Sequence, residues 1–252
     1  MDLTTYNNIK YFQSELLKEH NFIHAFFTKR LEKNQPSEIQ NELNLTSNIH
    51  YLNQLHSNKV FQIHNNLDLK TRNADCLITK EKFKSLWIYT ADCIPILIAD
   101  IHTRHIAACH VGFQGLKKQI ISRMLERFIK IGSNKNNLIF ALGPSINGDN
   151  YQLNTKDIED LLINIEGNNF TKKSCYSIEL NNEEIVQLYK KDSTQNKSLF
   201  DIQAAAILQL NQEGIKKSQI NVNRLCTYSN PNLFNSFRRD KSSLRQWSCI
   251  YS

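Results

Sequence analysis

The chain has 252 residues, of which 40% are hydrophobic and 22% charged, with only seven glycines and four prolines. Those proportions exclude a disordered tail, a collagen-like repeat and a disulfide-stapled miniature domain, and they suffice for a full core. The formal net charge of +7, from 31 basic against 24 acidic residues, favours anionic partners. The basic residues are scattered, however. A nucleic-acid binder would show a basic stripe interleaved with aromatics, so a local anion site is expected instead.

The longest apolar stretch, Ile94 to Ala99, contains Pro95 and falls far short of a membrane span, so no membrane partner is expected. Met1-Asp2-Leu3-Thr4-Thr5 has no basic region followed by an apolar core, so no secretory leader is expected. A cytoplasmic chain keeps its six cysteines reduced, and without a C-x-x-C pair they are core thiols, metal ligands or nucleophiles.

Residues 1 to 50 are rich in Asn and Lys and weakly patterned; a helix or strand is expected near Tyr11–Leu17 and a strand at Phe22–Thr28. From Lys59 the signal sharpens. Val60–His64, Cys76–Thr79, Leu86–Tyr89, Ile94–Ala99 and His105–Val111 have the length and β-branched content of strands. Leu116–Ile131 reads as one long helix, with Leu116, Ile120, Met124 and Phe128 on a single stripe and Gly132 as its stop. Leu138–Leu142 is a strand running into Gly143-Pro144. Asn154 or Thr155 caps a helix reaching Ile165, and Asp201 caps another that stops at Gly214. Ile220–Leu225 and Gln246–Tyr251 complete the strands. This mixture predicts an α+β fold of mixed β-sheets with helices packed on the outer faces. Too few glycines and prolines are present for a linker, so one domain over residues 1–252 is expected.

The sharpest chemical feature is Thr90-Ala91-Asp92-Cys93, a strand, a short turn, and then His105-Ile106-Ala107-Ala108-Cys109-His110. A turn centred on Ile101 and His102 places Cys93 directly opposite His110. Opposed residues share a face with Cβ atoms about 4.5–5.5 Å apart, close enough for one metal ion. A one-residue slip would separate them, and Cys109 points into the core on either count. A catalytic zinc site needs a third ligand and an open position, and His56 in Gln54-Leu55-His56-Ser57-Asn58 is the best candidate.

Six ordered motifs then resemble one family. They are Gln54-Leu55-His56, Ala74-Asp75-Cys76-Leu77-Ile78-Thr79, Thr90-Ala91-Asp92-Cys93-Ile94-Pro95, His110-Val111-Gly112-Phe113-Gln114-Gly115, Leu142-Gly143-Pro144-Ser145-Ile146 and Phe234-Asn235-Ser236-Phe237-Arg238-Arg239-Asp240. The family is the laccase-domain or YfiH-like group, also called multicopper polyphenol oxidoreductase. Its members are similar to zinc-dependent purine nucleoside phosphorylases. The resemblance implies a YfiH-like sandwich, His56, Cys93 and His110 as zinc ligands and catalytic centre, and Arg30 and Asn44 as substrate contacts. It implies a purine nucleoside and phosphate as small-molecule partners, with adenosine deamination as a companion activity. Asp75, Asp92 and Asp201 fall on matching positions, where an Asp is also a common cap or ligand-orienting group.

The chain departs from that pattern in four places. Phe113-Gln114 stand where the family has Trp followed by Arg or Lys, Ser145 replaces Cys, Leu244 replaces Gly, and the segment from Asn44 to His56 is short. Gln114 cannot neutralise a phosphate as Arg does. Gln114 is still expected as a substrate contact, with the free N–H groups of the helix start beside it binding an oxyanion. Arg238, Arg239 or Arg245 could hold phosphate through charge-assisted hydrogen bonds, and Phe237 or Phe113 could stack on the purine. No H-x-E with P-C-x-x-C pattern of a zinc deaminase is present. Two other readings stay open: a metal-free cysteine hydrolase using Cys93 with His110, and a divergent binding protein without catalysis. Copper-laccase chemistry is least expected, since none of the eight histidines forms a His-x-His pair.

Overall fold

The computed structural model describes residues 1–29, 35–63, 72–167, 177–179 and 185–251. The first half carries strands β1 (Asp2–Tyr6), β2 (Ile9–Gln13), β3 (His24–Phe27), β4 (Asn48–His50), β5 (Val60–Gln62), β6 (Cys76–Thr79), β7 (Lys84–Thr90), β8 (Ile94–Asp100) and β9 (Ile106–Val111). Helices α1 (Glu15–Glu19) and α2 (Pro36–Glu42) lie among them, and α3 (Phe113–Lys117) and α4 (Ile120–Lys130) follow. The second half has β10 (Leu138–Leu142), β11 (Gln152–Asn154), α5 (Thr155–Glu166), β12 (Ser177–Glu179), β13 (Ile185–Gln187), β14 (Tyr189–Lys191) and β15 (Lys197–Phe200). It ends with α6 (Ile202–Gln212), β16 (Ile220–Val222), α7 (Phe237–Asp240) and β17 (Gln246–Tyr251).

Two six-stranded mixed sheets dominate, ordered β1-β2-β3-β17-β7-β4 and β16-β10-β8-β9-β6-β5. Alternation along the strands sorts their side chains. Leu77, Leu97, Ala99, Ile106 and Ala108 of the second sheet pack against Phe26, Leu86, Ile88 and Ile250 of the first. The next residues along, Cys76, Ile78, Ile96, Ala107 and Cys109, turn the other way and are covered by apolar residues of α4, α5 and α6. On the outer face of the first sheet, Ile39 of α2 joins Phe27, Trp87, Cys249 and Tyr251. The fold is α+β, with helices on the outer faces of a two-sheet sandwich. No helix among the described residues is long and apolar enough to cross a membrane.

Two expectations need correction. The long helix is two, broken at Gln119, whose backbone is left-handed (φ 60). Carbonyls on either side of the break take partners from elsewhere: Leu116 O accepts from Gln209 Nε2 (3.3 Å) and Lys118 O from Asn58 Nδ2 (2.8 Å). Leu116, Ile120, Met124 and Phe128 are nevertheless all buried in one cluster. The β8–β9 hairpin is also two residues out of the expected register, so His110 faces Pro95 and Cys93 sits just before the strand. The cause is a longer loop, in which Arg104 is left-handed (φ 64) and the Asp100 carboxylate accepts from His102 N (2.8 Å) and Thr103 N (2.9 Å). A slip of two leaves the facing unchanged. His64, expected to end the β5 strand, lies outside the described residues.

Candidate metal centre and cleft

Asp75 organises the site. It is buried just before β6, and its backbone carbonyl accepts from His110 N (2.7 Å) at the end of β9. Its Oδ1 accepts from His110 Nδ1 (2.9 Å), which aims Nε2 at the site, where a metal would displace the second ring proton. The same carboxylate gathers the segment before β5, accepting from His56 N (2.9 Å), Ser57 N (2.6 Å) and Ser57 Oγ (2.6 Å). His56 is thereby held in a left-handed turn (φ 55), its ring centroid 4.7 Å from that of His110. Cys93 Sγ lies 3.7 Å from His56 Nε2. Ligand atoms of His56, Cys93 and His110 all fall within 4.8 Å of one another. Gly112 closes over them without room for a side chain, since a Cβ there would stand 2.8 Å from Cys93 Sγ and 3.0 Å from His56 Cδ2.

The charges follow from this packing. Burial opposes ionisation of Asp75, but hydrogen bonds from His110 and Ser57 outweigh it and bring the carboxyl down to about 2. Burial likewise opposes the Cys93 thiolate; His110 and then His56 more than offset it, lowering the thiol to about 6. His110, despite burial, is pushed up to about 9 by Cys93 and Asp75. A preformed thiolate beside two imidazoles, one of them oriented by a carboxylate, is the donor set that suits zinc.

The three residues open onto a cleft of about 590 Å³ that is also lined by Gln114, Phe237, Arg238 and Arg245. Asp92, the residue before Cys93, ties the ligand loop to the C-terminal segment. Its backbone is left-handed (φ 96), and its oxygens accept from Thr227 Oγ1 (2.7 Å) and Arg238 N (2.7 Å). Arg238 also donates from Nη1 to Gln152 O (3.2 Å), and its remaining N–H groups have no partner among the described residues. Arg245 uses Nη1 on Ser242 O and Leu244 O, both at 2.8 Å, while its guanidinium lies 5.5 Å from the Phe237 ring.

Two expected substrate contacts are placed elsewhere, and a third is not among the described residues. Arg239 does not line the cleft: it donates to Thr227 O (2.8 Å), Tyr228 O (2.7 Å), Phe234 O (2.9 Å) and both oxygens of Asp240 (2.8 and 2.7 Å). That occupies all of its N–H groups and makes it a structural clamp. Asn44 sits in the left-handed turn after α2 (φ 53), donates to Tyr6 Oη (3.4 Å), and is not part of the lining. Arg30 lies outside the described residues. Of the departures, Ser145 is buried in a bridge with Cys226, away from the lining. Asp201 caps α6 by accepting from Ala204 N (2.8 Å) and pairs with Arg224. Sequence reasoning did not assign Lys241 or Tyr151 to the site, yet both line the cleft. Lys241 stands between Arg239 and Arg245 in the sequence, next to residues that were assigned; Tyr151 carried no signal.

The fold is that of the YfiH structures. The crystal structure of hypothetical protein YfiH from Bacillus licheniformis superimposes with a TM-score of 0.76 over 96% of each chain, at 18% identity. Residues 28–252 match the family described as multi-copper polyphenol oxidoreductase laccase, and the chain belongs to that family. Its relatives include a protein of Synechocystis sp. named purine nucleoside phosphorylase, 27% identical over 91% of this chain and 89% of its own length. A Rickettsia prowazekii protein of the same name is 30% identical over 75% of this chain and 69% of its own.

Proposed function

We propose that the protein is a zinc-dependent purine nucleoside phosphorylase that cleaves adenosine, inosine, guanosine or methylthioadenosine. The observation that carries this reading is the His56/Cys93/His110 group opening onto a cleft that also holds uncommitted cationic groups and aromatic rings. The names of the relatives point the same way. In the reaction a phosphate oxygen bonds to C1′ of the ribose as the C1′–N bond breaks, the electron pair leaving with the purine. Zinc, when bound, supplies a Lewis acid that stabilises negative charge on a substrate oxygen. Asp75 keeps the His110 proton on Nδ1, so that Nε2 is available as a ligand. Arg238 and Arg245 hold the phosphate through charge-assisted hydrogen bonds, in place of the cation missing at Gln114. Phe237 offers its half-exposed ring to the purine.

The five described cysteines are all unpaired, which supports a reducing, cytoplasmic setting, and we read residues 1–252 as one domain. The depressed Cys93 thiol favours one competing reading, a metal-free cysteine hydrolase whose thiolate nucleophile is activated by His110. Incubating pure protein with inosine or adenosine, with and without phosphate, tests the activity by chromatography. Ribose 1-phosphate with free purine, formed only when phosphate is present, is the expected result. Free ribose, or no turnover at about one zinc per chain, would overturn the proposal; inosine formed from adenosine would establish the deaminase activity.

A further inference from the structure

Tyr151 is held more firmly than a surface tyrosine needs to be. It immediately precedes β11, where its carbonyl accepts from Phe200 N (3.0 Å). Its ring lies 6.3 Å from that of Phe200, and the Arg238 guanidinium sits 5.1 Å from the ring centroid. Arg238 is itself anchored on Gln152 O, so the phenol and the guanidinium fix each other. The Tyr151 hydroxyl nevertheless makes no hydrogen bond to any described residue, although the ring lines the cleft. Most polar groups around it are committed. Both Asp92 oxygens are taken by Thr227 and Arg238, the Gln54 amide closes on the Tyr89 backbone (2.7 and 2.9 Å), and His110 Nδ1 is held by Asp75. Burial, and behind it the charge of Cys93, pushes the phenol above its ordinary range, so it remains a donor at any working pH.

A clamped ring with an unused hydroxyl is a binding group whose ordering cost is met before the ligand arrives. We infer that Tyr151 is a substrate-binding residue whose hydroxyl donates a hydrogen bond to the purine nucleoside held beside His56, Cys93 and His110. The substrate class rests on the phosphorylase reading; the role of the hydroxyl rests on the cleft.

Tyr151→Phe removes the donor and keeps the ring between Phe200 and Arg238. The expected result is a fall of fivefold or more in kcat/KM for inosine, with thermal midpoint and zinc per chain unchanged. A smaller fall overturns the inference, and so does a loss that comes with lower zinc content or stability, the mark of a structural residue. If wild-type protein cleaves no nucleoside, calorimetric titration with inosine separates the two questions. Binding weakened fivefold or more in Tyr151→Phe supports the hydroxyl's role although the phosphorylase reading has failed. Equal binding overturns it, and no binding to wild type overturns both.

Discussion

Asp75 shows how much one carboxylate can organise. It orients His110 and holds the His56 turn, so two of the three candidate ligands depend on it. Asp75→Asn keeps the shape but loses the charge and one acceptor, so an amide N–H would face a donor. Zinc affinity is expected to fall by about ten- to a hundredfold, measured by competition with a chromophoric chelator. Undiminished affinity would mean that the carboxylate only braces the backbone. This part of the site was legible, because Cys93, His110, His56 and Asp75 sit in recognisable strings with a turn signal between them. The division of labour between Arg238 and Arg239 was not. Adjacent residues on a helix point about 100° apart, and only the packing decides which one faces the cleft.

At the scale of elements, α7 is a single turn held by its ends. Ser236 Oγ accepts from Arg239 N (3.2 Å), Asp92 accepts from Arg238 N (2.7 Å), and Arg239 collects three backbone carbonyls. Arg239→Ala orphans those carbonyls and should cost about 2–4 kcal/mol of stability in denaturant unfolding. The KM for phosphate of the folded variant should stay near wild type, whereas Arg238→Ala should raise it several-fold. Equal effects on KM would return Arg239 to the substrate contacts. The same scale shows why some elements were read and others missed. The β8–β9 pairing survived a wrong turn because its facing depends only on parity. The α3–α4 break was hidden because the groups that cause it, Gln209 and Asn58, lie far away in sequence. The three-residue strands β4, β11 and β14 are too short for alternation to register.

Across the whole molecule, three histidines are kept neutral by burial: His24, His50 and His105 all have lowered pKa values. His24 is the clearest case, donating from Nδ1 to Phe22 O (2.8 Å) while Nε2 accepts from Ser14 N (2.7 Å). Its folded pKa lies below the ordinary value of about 6.5, so above that pH neither state is protonated and nothing is lost. As the pH falls below about 6.5 the unfolded chain takes up the proton first, and stability declines by up to about 1.4 kcal/mol per pH unit per histidine. Asp75, at about 2, is still ionised throughout this window and His110, at about 9, is already protonated in the metal-free protein, whereas the Cys93 thiolate, at about 6, takes up its proton within the window and adds to the loss. Metal-free protein should therefore lose thermal stability between pH 6.5 and 5. His24→Gln should flatten part of that slope, and an identical slope in the variant would place the titration elsewhere.

The position of β17 between β3 and β7 bears on how the chain comes into being. On a ribosome the segments bearing His56, Cys93 and His110 emerge well before Gln246–Tyr251, so those side chains can gather while the first sheet still has a gap in its middle. Until the final strand arrives, β3 and β7 present two bare, mostly buried-type edges toward each other. A stalled or clipped chain would thus be more than a weakened enzyme. It would expose two sticky strand edges, and aggregation or proteolysis would be its fate.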